Sequence, residues 1–440
     1  MRRMGCVFGV VLACMCSGLW AQSSPPAAIG AAITATAPTA TPADLELIRR
    51  LGDSDPAVRQ AAQNDLDKKT WRDLDSLRRI ADRATDAEAR ARVEARIEDI
   101  KDDLAVNPPP VSMHLKDASV DDMDKALSKA AELSSPYIPW PPTDARMGQP
   151  AEFYTLDATD EPFWQVFLEL SRQHGLYLQG WEANRQIMHN TGTGWRRGVI
   201  SGPLLVVVDN ITYTRAFNFQ QDGPDQAHAE RFSLSGTAAI DPRVKILRSS
   251  SAMFSEITDD AGNDLLAQPP NDLMMSGGIV QAALPLNCEL RMIEKPGKKI
   301  ATAKGYIHLL VEVRSATVEI DDAASKVGGS FPVGRFTVKL GNLDAKPGSI
   351  SFAVSMTDSA GVIGGIGRVV RGQPDETQSV TCALMDSSGK LLHSVRLSAG
   401  SSTGAAIGTQ YTPPLKFRLS APTKVKDVKI PFELKDLPLP

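Results

Sequence analysis

Several features are scarce in this sequence of 440 residues, and each scarcity excludes a class of function. Cysteine occurs only five times, which excludes a small disulfide-stabilised scaffold. Histidine occurs six times, and no His, Cys or carboxylate residues have the spacing of a metal site or a catalytic set. The sequence therefore predicts no catalytic residue, no metal site and no cofactor, and so a protein that is not an enzyme.

Long runs of basic residues or of apolar residues are also missing beyond the N-terminus. Lysine and arginine form no long run and the formal net charge is −4, so nucleic acid is not an expected partner. No segment beyond the N-terminus has about 18 consecutive apolar residues, which predicts no transmembrane span in the mature chain. Hydrophobic residues make up 42% and charged residues 23% of the chain, as in globular proteins, and the length predicts several domains.

The N-terminal residues predict export. Arg2 and Arg3 precede the apolar run GCVFGVVLACMCSGLWA, which is too short for a membrane anchor and is typical of a signal peptide over residues 1–21. Lipoprotein processing at Cys14 is an alternative, because VLAC resembles a lipoprotein box. Residues 22–42 are rich in Ala, Pro and Thr and predict a disordered linker. We therefore expect a periplasmic or secreted protein.

Two cysteines lie beyond the predicted signal peptide. Cys288 and Cys382 each alternate with apolar neighbours, which is typical of small side chains buried on one face of a strand. An oxidising compartment would also allow the two residues to form a disulfide. The sequence leaves both alternatives open.

Residues 43–106 predict a repeated helical unit. The stretch SDPAVRQAAQNDL, which begins at Ser54, aligns without gaps to TDAEARARVEARI, 31 residues later. Each copy predicts a helix, a turn capped by Asp55 or Asp86, and a second helix. The stretch DPAVRQAAQNDL resembles the second helix of HEAT repeats. This resemblance implies helical hairpins that bury a shared seam by stacking.

The sequence NPPP at 107–110 marks a boundary, and a second repeated unit follows it. The stretches LKDASVDDMDKAL and LDATDEPFWQVFL match when Asp117–Ala118 is aligned with Asp157–Ala158 and Met123 with Phe163. Hydrophobic periodicity predicts a strand and a helix in the first copy, and a strand, a helix and a strand in the second.

This pattern predicts a small α/β sandwich over residues 111–197, with Trp164 in its core. The strand VSMHL, the Asp-Ala pair and helix that follow it, and the later strand LYLQGW resemble the STN or secretin N-domain, a short N-terminal domain of secretins and TonB-dependent receptors. The resemblance implies a module that makes protein contacts in the periplasm. The order of parts along the chain resembles that of bacterial envelope proteins.

The remaining sequence predicts strands. Apolar residues alternate strictly in Ile350–Met356 and Val428–Leu434, and Pro431 predicts that the last strand is bulged or lies at an edge. Turn sequences separate such segments, which predicts antiparallel β-sandwiches over 198–314 and 315–440, or one larger sandwich. The predicted fold class is multi-domain α+β: N-terminal HEAT-like α-hairpins, a small STN-like α/β sandwich, then antiparallel β-sandwich domains.

The acidic stretch TDDAGND at 258–264 suggests two kinds of chemistry. Asp259, Asp260 and Asp264 could hold Ca²⁺, although their spacing differs from that of an EF-hand loop, or could serve as the acid and base of a hydrolase. A hairpin turn has the same composition. The Gly-rich segment at 361–372 lacks the following helix of a dinucleotide-binding loop, which favours a simple connection.

Aromatic residues give the remaining candidates for a binding surface. Exposed Trp and Tyr anchor protein contacts or stack on sugar rings, although they also cover junctions between domains. The candidates are Tyr137, Trp140, Trp181 and Trp195.

The leading functional hypothesis is an exported, non-catalytic protein of the cell envelope that acts as a protein–protein interaction or scaffold module. The first alternative is carbohydrate or cell-wall binding through the β-rich C-terminal half. The second is a hydrolase whose carboxylates come from separate loops. The expected partner is a protein of the cell envelope, with a glycan as the alternative.

Overall fold

The computed structural model describes most of the chain beyond the predicted signal peptide and linker. The described residues are 41–132, 153–179, 186–189, 198–217, 228–268, 283–346, 348–358, 380–397, 400–407 and 410–440. No helix within these ranges is both long enough and apolar enough to cross a membrane. The Gly-rich segment 361–372 and the four candidate aromatic residues, Tyr137, Trp140, Trp181 and Trp195, lie outside the described residues.

Four helices form the N-terminal part, as the sequence predicts. Asp55 caps the second of them by accepting a hydrogen bond from the Ala57 N–H at 2.8 Å, and Asp86 caps the fourth through the Ala89 N–H at 2.7 Å. Apolar residues of all four helices form one buried cluster. The helices are α1 (Pro42–Leu51), α2 (Pro56–Asp67), α3 (Leu74–Arg83) and α4 (Ala87–Leu104).

The repeated unit that follows has the predicted order of strands and helices. Its first two strands pair with each other in antiparallel fashion, whereas its last two strands form a separate pair. Trp164 is buried, as predicted. The elements are β1 (Val111–Ala118), α5 (Val120–Ala130), β2 (Tyr154–Glu161), α6 (Phe163–His174), β3 (Leu176–Gln179) and β4 (Gln186–His189).

The pairing of β1 with β2 has an approximate two-fold symmetry. Met113 pairs with Ala158, and the equivalent pairing joins Leu156 to Leu115. The symmetry axis passes through the pair of His114 and Asp157, whose Nδ1 and Oδ1 atoms are 2.6 Å apart. Each residue of the first copy therefore corresponds to the residue 43 positions later in the second copy. The helices follow the same rule, since the first residue of α6 lies 43 positions after the first residue of α5.

The sequence alignment of the two copies is therefore wrong by three residues. Asp117 corresponds to Asp160, and both have a left-handed backbone, with φ of 48° and 55°. Each lies in a strand just before the following helix begins. The sequence alignment paired Asp117 with Asp157 because both are followed by alanine. In the structure, Asp117 is equivalent to Asp160, because both residues have the left-handed backbone that ends the strand.

The first β-sandwich packs a four-stranded sheet against one part of a larger sheet. Their inward-facing residues form a single core. The four-stranded sheet has the order β10–β7–β6–β5. Its strands are β5 (Gly198–Ser201), β6 (Leu204–Phe217), β7 (His228–Ile240) and β10 (Ala283–Glu289). The larger sheet contributes β8 (Ile246–Ser249), β9 (Met253–Asp259), β11 (Lys299–Ile320) and β18 (Lys416–Pro438).

The second β-sandwich uses the rest of the larger sheet. There β11, β18, β15 and β16 pack against a sheet with the order β12–β13–β14–β17, around a separate core. Its strands are β12 (Ser330–Val333), β13 (Phe336–Lys346), β14 (Ser349–Asp358), β15 (Val380–Met385), β16 (Leu391–Leu397) and β17 (Gly400–Ile407).

Two long strands therefore belong to both sandwiches. β11 and β18 pair along almost their full lengths, with Ile307 and Ile430 in the first core and Ile320 and Phe417 in the second. The predicted boundary between 314 and 315 falls inside β11, at a shift in register that separates the two cores. The C-terminal part of β18 therefore belongs to the first sandwich. The predicted domains, 198–314 and 315–440, would have placed it in the second.

The parts of the molecule pack on one another through buried contacts. Asp102 of α4 accepts hydrogen bonds from Arg314 of β11, at 2.9 and 3.1 Å, and pairs with Lys424 of β18. The indole Nε1–H of Trp164 donates to the Pro203 carbonyl oxygen at 2.9 Å. Leu205 of β6 packs in the core of the repeated unit, so the four-stranded sheet is covered on both faces.

The two cysteines are free thiols in different cores. Cys382 is buried in the second sandwich, whereas Cys288 is partly buried against the first. The structure therefore does not pair the residues that the sequence left open as a disulfide. Burial raises the pKa of the Cys288 thiol to about 11 and that of Cys382 to about 12, so both thiols are protonated at neutral pH.

Candidate binding groove

The acidic stretch 258–264 forms a hydrogen-bonded turn. Asp259 is buried and accepts hydrogen bonds from the Gly297 N–H at 2.6 Å and the Asn263 side-chain amide at 2.8 Å. Burial alone would raise the pKa of Asp259, but these hydrogen bonds hold it below its usual value. Asp260 accepts from the Lys298 N–H at 2.8 Å, and Asp264 pairs with Arg291 at 3.4 Å. The three carboxylates are therefore engaged in joining this turn to its neighbours.

The described residues offer no alternative metal site, since no group of three or more His, Cys, Asp or Glu side chains among them is arranged to hold an ion. A concave surface formed by described residues is a groove on one side of the first sandwich. The groove has a volume of about 720 Å³. Its walls come from β5, β6 and the C-terminal end of β18.

The groove lies between two strand edges that have no neighbouring strand in the described parts of the chain. β5 covers only Leu204–Val207 of β6, so the edge of β6 is open from Val208 onward. β15 reaches only Ser420 of β18, so the edge of β18 is open beyond that residue. β18 is not an edge strand over its whole length, but Pro431 lies in the part of β18 that pairs with β11 and with no other described strand, which is one of the two positions that the sequence predicted. Its carbonyl oxygen accepts a hydrogen bond from the Ser201 hydroxyl at 2.7 Å.

The floor of the groove is the unclosed side of the first core. Its apolar residues are only partly buried and pack on fully buried residues behind them. Single exposed apolar side chains are common on protein surfaces, whereas a contiguous apolar recess marks a site of interaction. The residues are Val199, Val208, Ile211, Leu437 and Leu439.

A β-bulge in β6 shapes the groove. Val208 pairs with Gly236 and Asn210 with Ser235, so Asp209 is an extra residue in the strand. The insertion changes which residues face inward, so Ile211 packs on the core while Thr212 is exposed on the other face. Gly236 is required opposite the bulge, because a Cβ atom there would lie 2.2 Å from the Val207 carbonyl oxygen.

Asp209 also brings a carboxylate to the rim. Its Oδ2 accepts a hydrogen bond from the Thr237 hydroxyl at 3.3 Å, and no cation of the described residues pairs with it. Partial burial raises the pKa of Asp209, and the hydrogen bond from Thr237 offsets only part of this effect.

The other charged residues of the rim have partners of opposite charge. The guanidinium Nη1 of Arg172 in α6 lies 3.2 Å from the Glu169 Oε2, and the Lys435 Nζ lies 3.4 Å from the Glu433 Oε2. Asp436 pairs with Lys299. Among the described side chains that line the groove, Asp209 is therefore the charged one without a partner of opposite charge.

Sequence reasoning missed this groove because its walls come from three distant segments. One local signal was present: Asp209–Asn210 interrupts the apolar run LLVVV, and a polar interruption next to a glycine-containing partner strand is typical of a bulge. The predicted aromatic candidates lie outside the described residues, so they remain predictions.

Comparisons with protein-family models, with curated protein sequences and with solved structures found no match to this chain.

Proposed function

We propose that this protein is a non-catalytic binding protein of the bacterial cell envelope that holds a partner protein in the groove of its first β-sandwich. The observation that carries the proposal is the combination of two open strand edges with an apolar floor between them. Open strand edges bind an extended segment through backbone hydrogen bonds, and an apolar floor accepts its side chains.

The rest of the molecule supports a scaffold role. The helical part and the repeated unit pack against the first sandwich, so the groove is held by a broad base of buried contacts. A preorganised groove binds with a smaller entropic cost than a surface that must order itself. Export, and the HEAT-like and STN-like character of the N-terminal parts, belong to this proposal as expectations from the sequence.

Site-specific photo-crosslinking in the native envelope tests the proposal. A photoreactive amino acid replaces either Ile211, which faces the groove, or its neighbour Thr212, which faces outward. We expect a discrete protein adduct from position 211 and much less from position 212. Equal labelling from both positions, or no protein adduct from position 211, would refute binding in the groove.

A glycan is the second candidate ligand, because Asp209 can accept further hydrogen bonds beside Val199 and Val208 of the apolar floor. Carboxylates beside apolar surfaces suit hydroxyl groups on a sugar ring. Retention of the full-length protein on isolated cell-wall glycan, abolished by Asp209→Ala, would favour this candidate. Absence of retention would remove it.

A further inference from the structure

We infer that the partner segment is an extended peptide with a lysine or arginine side chain, which adds as a strand to the open edge of β6 and places its cation against Asp209. This inference rests on the proposed function and specifies the chemistry of the partner. It follows from the strand edge, the apolar floor and the charge of the rim, taken in turn.

The strand edge determines that the ligand is extended. From Val208 onward β6 pairs with β7 on one side only among the described residues, and β5 ends where this open stretch begins. A peptide continuing the line of β5 would meet backbone N–H and C=O groups of β6 that pair with no described residue. At about 3.3 Å per residue, the stretch from Val208 to Thr214 matches a peptide of roughly seven residues.

The floor determines the side chains on one face of the peptide. Successive side chains of a strand point to opposite faces, so every second residue would face Ile211, Leu437 and their neighbours. These positions require apolar side chains, because a buried polar group without a partner would cost free energy.

The rim determines the sign of the charge. Arg172, Lys435 and Asp436 each pair with an oppositely charged residue of the same chain, whereas the partner that the described residues give Asp209 is the Thr237 hydroxyl. A cation would replace the solvation that Asp209 loses in the groove, and an anion would be repelled. The partner therefore carries a basic side chain near the bulge.

Binding of defined peptides to the full-length mature protein tests the inference. The probes are a capped peptide of alternating valine and lysine and the same peptide with glutamate in place of lysine, followed by fluorescence anisotropy. We expect the lysine peptide to bind at least about tenfold more tightly, and Asp209→Asn to abolish most of that difference. Asp344→Asn, an exposed acid of the second sandwich, is the matched control and should change nothing.

Two further measurements separate strand addition from simple charge attraction. Methylation of alternate backbone nitrogens in the lysine peptide should abolish binding, because a strand cannot pair without those donors. Affinity should also fall as the pH falls toward the raised pKa of Asp209, since protonation removes the charge that the cation binds, and Asp209→Asn should not respond.

The outcomes distinguish this inference from the proposed function. A protein adduct from position 211 together with equal binding of both peptides would overturn the inference and leave the groove as the binding site. Adducts in which position 211 labels a second copy of this chain or the chain's own residues 190–197 would overturn it too. Absence of any adduct would contradict both proposals.

Discussion

The two halves of the repeated unit have the same backbone arrangement and opposite surfaces. In the second half, α6 presents Trp164, Phe167 and Leu168, all buried. The equivalent residues of α5, 43 positions earlier, are Asp121, Asp124 and Lys125. The matching apolar positions, Leu127 and Leu170, are buried in both halves. The shared positions maintain the fold of the unit, and the differing positions decide which helix docks on another part of the molecule.

The docked helix also contributes to the groove. The face of α6 packs with Leu205, Val207 and Ala239 of the four-stranded sheet, and its Arg172 lines the groove. In the described part of the chain, the equivalent residues of α5 are polar and do not belong to the apolar cluster that joins α6 to that sheet. Of the two equivalent helices, α6 thus forms a base for the first sandwich and α5 keeps a polar face.

The largest effect is expected when the second half is given the polar residue of the first. Phe167→Asp should lower the free energy of unfolding by about 4–5 kcal/mol, because it places a carboxylate in an apolar contact. Phe167→Leu keeps the site apolar and should cost only about 1–2 kcal/mol. Urea unfolding followed by circular dichroism measures both variants, and equal costs would contradict the account.

A smaller effect is expected from the polar contact of the docked helix. Trp164→Phe removes the N–H that bonds to Pro203, whose carbonyl oxygen keeps the hydrogen bond from the Asp241 N–H at 2.7 Å, and it replaces a buried indole by a smaller ring. The lost hydrogen bond and the smaller buried side chain should together cost about 1–2 kcal/mol. The matched control is Asp121→Asn at the equivalent, exposed position, which should change stability by less than about 0.5 kcal/mol. A similar cost for both variants in urea unfolding would show that docking is not specific to α6.

Asp124 should make the first half sensitive to pH. Burial and the nearby Asp121 raise its pKa to about 7, and its Oδ1 has no hydrogen-bond partner. The folded carboxyl therefore binds its proton more tightly than the unfolded one, so stability falls as the pH rises from about 4 through about 7.

Asp124→Asn removes this titration. Relative to the native protein, it should gain about 1–2 kcal/mol above pH 7 and change little at about pH 4. Thermal unfolding across this range measures the difference. A gain in stability that is the same at about pH 4 and above pH 7 would show that Asp124 is not the titrating group.

The smallest effect concerns the left-handed residues that the two halves share. Asp117→Gly should stabilise the protein by about 0.5–1 kcal/mol, because glycine adopts positive φ without strain. Asp160→Gly should gain less, since it also removes the exposed ion pair with Arg72 at 2.9 Å. Melting temperatures of the two variants in the reverse order would contradict this assignment.

The sequence predicted local structure well where the pattern was strong. Alternation identified β15 and β16 with their observed ends, and the Asp caps identified the starts of α2 and α4. β5, β7, β9, β12 and β17 were missed, and the predicted strand CELRMI at 288–293 shares only its first two residues with β10. Small and polar residues, as in SLSGTAA of β7, break the alternation that indicates a strand.

Long-range pairing was the part that sequence could not give. LKFRL at 415–419 and VKIPFEL at 428–434 each alternate as a separate strand would, but they form the single strand β18, because the polar residues between them lie at an exposed edge opposite β11. Alternation indicates which residues face inward but not which distant strand they meet. The groove forms where three distant segments, β5, β6 and the C-terminal end of β18, come together, so no local sequence pattern could have located it.

Hydrogen exchange tests the central claim most directly. The full-length protein is compared alone and with the partner identified from the position 211 adduct. The account predicts that partner binding slows exchange in Val208–Thr214 of β6 and Leu434–Leu437 of β18, and leaves α5 unchanged. Protection confined to α5, to the N-terminal helices or to the second sandwich would show that the partner binds elsewhere.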